Sequence, residues 1–189
     1  MHIQTKICFL VAIVSIGAIE AGIRQAAVDL MGASEADQSR YFDIFLDIAF
    51  QTRDSWAFDR YGIDVNFRDE NDNTRLHYAV RNGNIDKISF LQRVTDIDMN
   101  AHNIDGNTPL IEAALHQQWD VLLYLMQDNR VACGAVNTNN WNALMYTLVY
   151  GRRYESQALI NRDVQIDDEQ FYQLPKKARI LYNTLIKND

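Results

Sequence analysis

The chain has 189 residues, 48% of them hydrophobic and 23% charged, which is enough apolar material for a core and excludes wholesale disorder. Eighteen basic against 25 acidic residues leave a formal charge of −7, arguing against a nucleic-acid groove or an anionic membrane surface as partner. Two cysteines cannot make a disulfide-rich scaffold.

Residues 1–17 read as a signal peptide. Lys6 is followed by an uncharged, almost wholly apolar run from Ile7 to Ala18, shorter than the roughly 20 residues of a membrane-spanning helix and matching an h-region behind a basic n-region. Ser15-Ile16-Gly17 sets small residues at the minus-three and minus-one positions, so cleavage is expected after Gly17, with Ala18 and Ala21 as alternatives. Cleavage would leave 17 basic against 25 acidic residues, a charge of −8, and Cys133 as the single thiol. None of the sixteen asparagines heads a glycosylation sequon, which tilts the expected location to the periplasm, otherwise the extracellular space. No membrane anchor is expected after cleavage.

Residues 18–65 read as an N-terminal helical cap. Within it Ala36–Tyr61 is a long helical stretch open to a break, with Phe42, Phe45, Leu46, Ala49 and Phe50 on one stripe. Ser34 with Asp37 resembles a capping box. Trp56, Phe58 and Tyr61 are expected to seal the first of the units that follow.

An internal repeat then dominates. Asp69–Leu76 aligns with Asn103–Leu110 and with Asn137–Leu144, at an offset of 34 both times without a gap. Each block continues helically through Leu76, Ala79 and Val80, through Leu110, Ala113 and Ala114, and through Leu144, Thr147 and Leu148. A second apolar stretch follows in Ile85, Ile88 and Leu91, then in Trp119, Leu122 and Leu125. In the third block only Ala158 and Leu159 continue it, so that helix is expected to be less regular. Thr74 and Thr108 suit a helix N-cap, and Pro109 the first helical position.

Asn107-Thr108-Pro109-Leu110-Ile111-Glu112-Ala113-Ala114 and Asn73-Thr74-Arg75-Leu76-His77-Tyr78-Ala79-Val80 resemble the ankyrin repeat family. Arg81-Asn82-Gly83-Asn84 is similar to that family's turn between helices. Asp72 and Asn140 stand where the family carries a glycine, Arg75 and Ala143 where it carries a proline, and Gln117 where it carries the inter-helix glycine. Asparagine and aspartate tolerate the left-handed backbone better than other non-glycine residues. The resemblance implies an all-α ankyrin-repeat solenoid with β-hairpin-like loops, its units at 66–99, 100–133 and 134–161. Residues 162–189 form a C-terminal helical cap: a short helix from Asp167, then one opened by Pro175. Ala178, Leu181, Leu185 and Tyr182 face inward there, with Lys176, Lys177 and Arg179 outward.

Chemistry is sparse. Asp69-x-Asn71-x-Asn73 matches half of a calcium loop, but its sixth and twelfth positions are Thr74 and Val80 in place of glycine and glutamate. His77 sits where the resemblance implies a histidine bonded to neighbouring backbone. His102 and His116 lie 14 apart with no cysteine or paired carboxylate at ligand spacing. Gly-x-Ser-x-Gly, P-loop and His-Glu-x-x-His motifs are absent. Asp167, Asp168 and Glu169 suit a helix N-terminus, and Cys133 suits a buried thiol. No enzyme, metal or cofactor is expected.

The resemblance implies protein binding through hairpin tips and the free side of each inner helix, in a concave groove. Carried across, this names Glu70, Asn71, Asn73, Arg81 and Asn82 in the first unit. The second unit contributes Ile104, Asp105, Asn107, Leu115 and His116, and the third Thr138, Asn139, Trp141, Val149 and Tyr150. Trp141 and Tyr150 are the expected anchors, unless the C-terminal cap folds over them, and the acidic balance suggests a partner basic at its contact face. The functional expectation is an exported immunity or inhibitor protein that covers an envelope-acting toxin or hydrolase. The alternatives are a periplasmic accessory to a redox or haem enzyme such as catalase, and a secreted host-directed effector.

Overall fold

A computed structural model describes residues 18, 20–29, 31–32 and 35–187. The signal-peptide reading of 1–17 and Ser34 of the expected capping box lie outside the described residues. Among the described residues the backbone divides into two compact units, one running up to residue 65 with 93–96 and the other of residues 66–92 with 97–187.

In the first unit, backbone is helical over residues 20–29, with Ile23, Ala26 and Ala27 buried. The expected long helix breaks into α1 (Glu35–Thr52) and α2 (Ala57–Tyr61). Phe42, Phe45, Leu46 and Ala49 recur at three- and four-residue steps and are buried, as a one-sided apolar stripe requires. Phe58 closes on Phe45 edge-to-face at 5.1 Å, and Tyr61 meets the same ring at 6.3 Å. Trp56 departs from its expected sealing role: it is 67% exposed at the N-cap of α2, one residue ahead of the helix whose Ala57 and Phe58 are buried.

The second unit is built from helical pairs: α3 (Arg75–Arg81) with α4 (Ile85–Leu91), α5 (Pro109–Leu115) with α6 (Trp119–Leu125), and α7 (Ala143–Val149) with α8 (Arg153–Ile160). Two further helices follow, α9 (Asp168–Gln173) and α10 (Lys176–Leu185). The inner helices α3, α5 and α7 pack side by side, each pairs with its own outer helix, and α10 packs against α7 and α8. The described residues contain no strand.

Local chemistry sets these boundaries. The residues before the inner helices, Thr74, Thr108 and Asn142, hold extended backbone as N-caps. Thr108 Oγ1 accepts from the Ile111 amide at 3.4 Å and Asn142 Oδ1 from that of Met145 at 3.1 Å. Asp72, Gly106 and Asn140 share a left-handed backbone at φ 58°, 74° and 61°, and Gly83, Gln117 and Gly151 share one at 67°, 58° and 69°. The non-glycine residues at glycine positions therefore keep the glycine conformation. The glycine at 106 is required twice over, because a Cβ there would lie 2.7 Å from the Thr138 backbone nitrogen.

The outer helix of the third unit, expected to be less regular, forms over eight residues despite its broken apolar pattern. Ser156 falls where Ile88 and Leu122 stand and is buried like them, but its hydroxyl bonds Thr147 Oγ1 at 2.9 Å. A polar pair replaces an apolar contact, and the helix forms in register. At the C-terminal end Asp167 caps α9, accepting from the Gln170 amide at 2.8 Å, while Gln170 Oε1 accepts from the Asp167 amide at 3.0 Å. Ala178 and Leu185 are buried. Arg179, expected outward, is half-buried and lies over the Phe171 ring at 6.0 Å.

Candidate protein-binding surface

Each unit begins with the same turn. Asp69, Asn103 and Asn137 stand at equivalent positions of successive units, and the Oδ1 of each accepts from backbone amides two and four positions on. The distances are 2.9 and 2.9 Å to Asn71 and Asn73, 3.1 and 2.9 Å to Asp105 and Asn107, and 3.0 and 2.9 Å to Asn139 and Trp141. Such side-chain acceptors fold the backbone into a tight turn. Neighbouring turns are then tied by backbone: the Ile104 amide donates to the Asn71 carbonyl at 3.0 Å, and the Thr138 amide to that of Asp105 at 3.1 Å.

The half calcium loop is thereby explained. One Asp69 oxygen holds the turn and the other accepts from the Tyr78 hydroxyl. Burial pushes its pKa up, but the Tyr78 hydroxyl and the two amides outweigh this and hold it below the usual carboxylate range. Among the described residues no three His, Cys, Asp or Glu side chains gather as a metal-holding group.

Behind the turns runs a buried polar ladder centred on Glu112, which is 1% exposed. Its carboxylate accepts from Arg81 Nε at 2.6 Å, Asn107 Nδ2 at 2.8 Å and Asn103 Nδ2 at 3.0 Å, with His116 Nε2 at 3.2 Å. Arg81 and Asn103 also donate to Asn73 Oδ1 at 3.0 and 3.1 Å. Asn137 donates to Asn107 Oδ1 at 2.9 Å and to the Tyr146 hydroxyl at 3.1 Å. Burial alone would raise the Glu112 pKa, yet the Arg81 bond and the two amides hold it below its ordinary range. A buried carboxylate survives as an anion only when paired and hydrogen-bonded in this way.

Asn73 and Asn107, expected to face a partner, are instead buried members of this ladder. Their side chains turn inward because the inner helices bring donors and acceptors from the next unit within bonding distance. Arg81 is half-buried, with its guanidinium committed to Glu112 and Asn73. Sequence reasoning misses Glu112, Asn103, Asn137 and Tyr146. The repeat register is the available signal, since it aligns 69 with 103 and 137, and 78 with 112 and 146.

The other named residues lie outward. Glu70, Asn71, Asp105, Thr138 and Asn139 are exposed at the turns, as is Ile104 at 61%. On the free side of the inner helices Asn82, His116, Val149 and Tyr150 are exposed, and Leu115 is half-buried beside them. The two expected anchors part ways. Trp141 is half-buried, tilted on Tyr146 at 5.0 Å, with its indole N–H donating to Gln173 Oε1 of α9 at 2.7 Å. Tyr150 is 42% exposed, and its ring edge rests on Trp119 at 5.7 Å, with the Arg152 guanidinium 4.9 Å from the Trp119 ring. One aromatic is held by the C-terminal helices, and the other is free to meet a partner.

The remaining sequence candidates are structural. His77 is fully buried; Nδ1 accepts from the Thr74 amide at 3.1 Å and Nε2 bonds the Asn107 carbonyl at 3.0 Å. Cys133 is buried at the apolar position that Met99 fills one unit earlier, and burial pushes its thiol pKa up.

A family model described as ankyrin repeats (3 copies) matches residues 30–133, more than half of the chain. No curated protein matches the chain significantly. The matched stretch reaches back into the region read as an N-terminal cap and stops before α7, while helix spacing and turn geometry carry the unit on through α7 and α8. The chain belongs to the ankyrin repeat family, whose members serve as protein–protein interaction modules.

Proposed function

We propose that this protein is an exported immunity or inhibitor protein that neutralises an envelope-acting toxin or hydrolase by covering it. The observation that carries the binding part is the exposed pair Val149 and Tyr150 at the end of α7, with the half-buried Leu115 at the equivalent of Val149 one unit earlier and Ile104 exposed on the second turn. Exposed apolar and aromatic side chains grouped on one face mark interaction surfaces. The envelope part is supported by the basic-then-apolar stretch at 1–18, ended by the acid Glu20. With Asn73, Asn107 and Glu112 held in a structural ladder, the outward residues serve binding, and inhibition by steric cover is the action this surface suits. A partner basic at its contact face fits the acidic balance of the chain.

The test is co-purification from the native envelope with the unmodified chain and with Tyr150→Ala. The reading expects one stoichiometric protein whose hydrolytic or toxic activity falls when the pure chain is added, with weaker recovery by Tyr150→Ala. Recovery of no stoichiometric protein overturns it.

A further inference from the structure

The C-terminal helix α10 occupies the place of a fourth inner helix. In the repeat register Ala178 is the equivalent of Leu144 and is buried as it is, at 2% against 0%. Asn183 and Thr184 are the equivalents of Val149 and Tyr150 and are exposed as they are. Ile180 is the equivalent of Tyr146, which the third turn covers by half, and with no fourth turn over it Ile180 is 57% exposed. The contacts agree with the register, since α10 packs on α7 as α7 packs on α5. In place of a fourth turn stands α9, whose Gln170 Nε2 donates to the Asn140 carbonyl at 2.8 Å. The free side of the inner helices therefore continues past the third unit.

That face changes chemistry along its length. Exposed carboxylates sit at the first two turns, as Glu70, Asp72 and Asp105, while the third turn presents Thr138, Asn139 and Asn140 and no acid. On the inner helices and α10 the exposed apolar groups sit at the other end, as Val149, Tyr150 and Ile180, while Ile104 stands exposed beside Asp105 at the second turn. We infer that the binding face extends onto α10 and takes one segment of a partner protein. That segment is basic where it crosses the first two turns and apolar where it meets Val149, Tyr150 and Ile180. This rests on the binding reading above and adds a direction and a contact to it. Charge complementarity selects the basic end, and desolvation of large side chains selects the apolar one. Four helices at about 8–10 Å apart span about 30 Å, the reach of about nine extended residues.

The test is selection of a displayed random dodecapeptide library on the full chain, followed by titration of the enriched peptides. The expected peptides carry lysine or arginine toward one end and leucine, phenylalanine or tryptophan toward the other. Ile180→Asp is expected to weaken them about tenfold or more, with Ile180→Ser as a milder variant and far-UV dichroism to check folding. The double variant Glu70→Gln, Asp105→Asn should weaken them severalfold at low salt and much less at high salt, where exposed charges are screened. Peptides lost with Tyr150→Ala but indifferent to both Ile180 variants overturn the extension onto α10 and leave the binding reading standing. Enrichment of acidic peptides, or of none, overturns the direction. Self-association of the chain that depends on Ile180 makes a second copy the occupant and overturns the proposal. Peptides indifferent to Tyr150 and Ile180 alike overturn this inference and the surface on which the binding reading rests.

Discussion

His77 Nε2 bonds the backbone carbonyl of Asn107, in the next unit, at 3.0 Å, while its Nδ1 accepts from the Thr74 amide. One neutral imidazole thus caps its own helix and grips the turn of the unit that follows. The Thr74 amide can only donate, so Nδ1 must stay unprotonated and the proton belongs on Nε2.

A pH dependence follows from this geometry. Burial holds the His77 pKa below its ordinary value, which in the unfolded chain is about 6.5. Below that pH the unfolded chain takes up a proton that the folded chain refuses, so stability is full above about 6.5 and declines as pH falls toward the folded pKa. Urea unfolding at a series of pH values should show this slope in the unmodified chain and lose it in His77→Gln. A second decline, below the unfolded carboxylate pKa of about 4.3, should remain in both. It belongs to Glu112 together with Asp69 and Asp128, whose lowered pKa values give stability that disappears as pH drops through the folded values.

Glu112 is the hub on which three side-chain donors converge. Glu112→Ala leaves Arg81 and two buried amides without their acceptor and should lower the unfolding free energy by about 3 kcal/mol or more. Arg81→Met should cost at least as much, because it leaves the buried Glu112 carboxylate without its cation. Equilibrium unfolding of the two variants checks the order, and a much smaller loss in Arg81→Met would contradict the pairing.

The left-handed positions offer a paired test. Gln117 holds φ 58° with a side chain, so Gln117→Gly should stabilise the protein by about 0.5–1 kcal/mol, strain relief being partly offset by unfolded-state entropy. Gly106→Ala has the opposite sign. Its Cβ would meet the Thr138 backbone at 2.7 Å, and a loss of about 2 kcal/mol is expected from strain and clash together. Thermal melts of both variants measure these changes.

Trp141 and Tyr150 should respond differently to truncation. Trp141→Phe removes the bond to Gln173 and should cost about 1 kcal/mol of stability, read by denaturant unfolding. Tyr150→Ala should leave the melting temperature nearly unchanged, because the ring touches Trp119 from an exposed position, and should act on partner binding. A large stability loss in Tyr150→Ala would make it a core residue.

The repeating unit is legible in the residues alone: its constant period, its N-caps at Thr74 and Thr108, and its turn residues at Asp72, Gln117 and Asn140. Each of these is a local matter, fixed by the φ a residue tolerates or by a side chain reaching an amide a few positions away. What the polar residues of the turns do depends on stacking of the units. Asn73 and Asn107 read as surface groups until the next unit places Asn103 and Asn137 against them. Glu112 has no role in the sequence reading until Arg81 closes over it. Trp141 reads as a free anchor until Gln173 arrives from α9. The partners of these groups lie a whole unit away in the chain, and only stacking of the units brings them close enough to make burial cheaper than water.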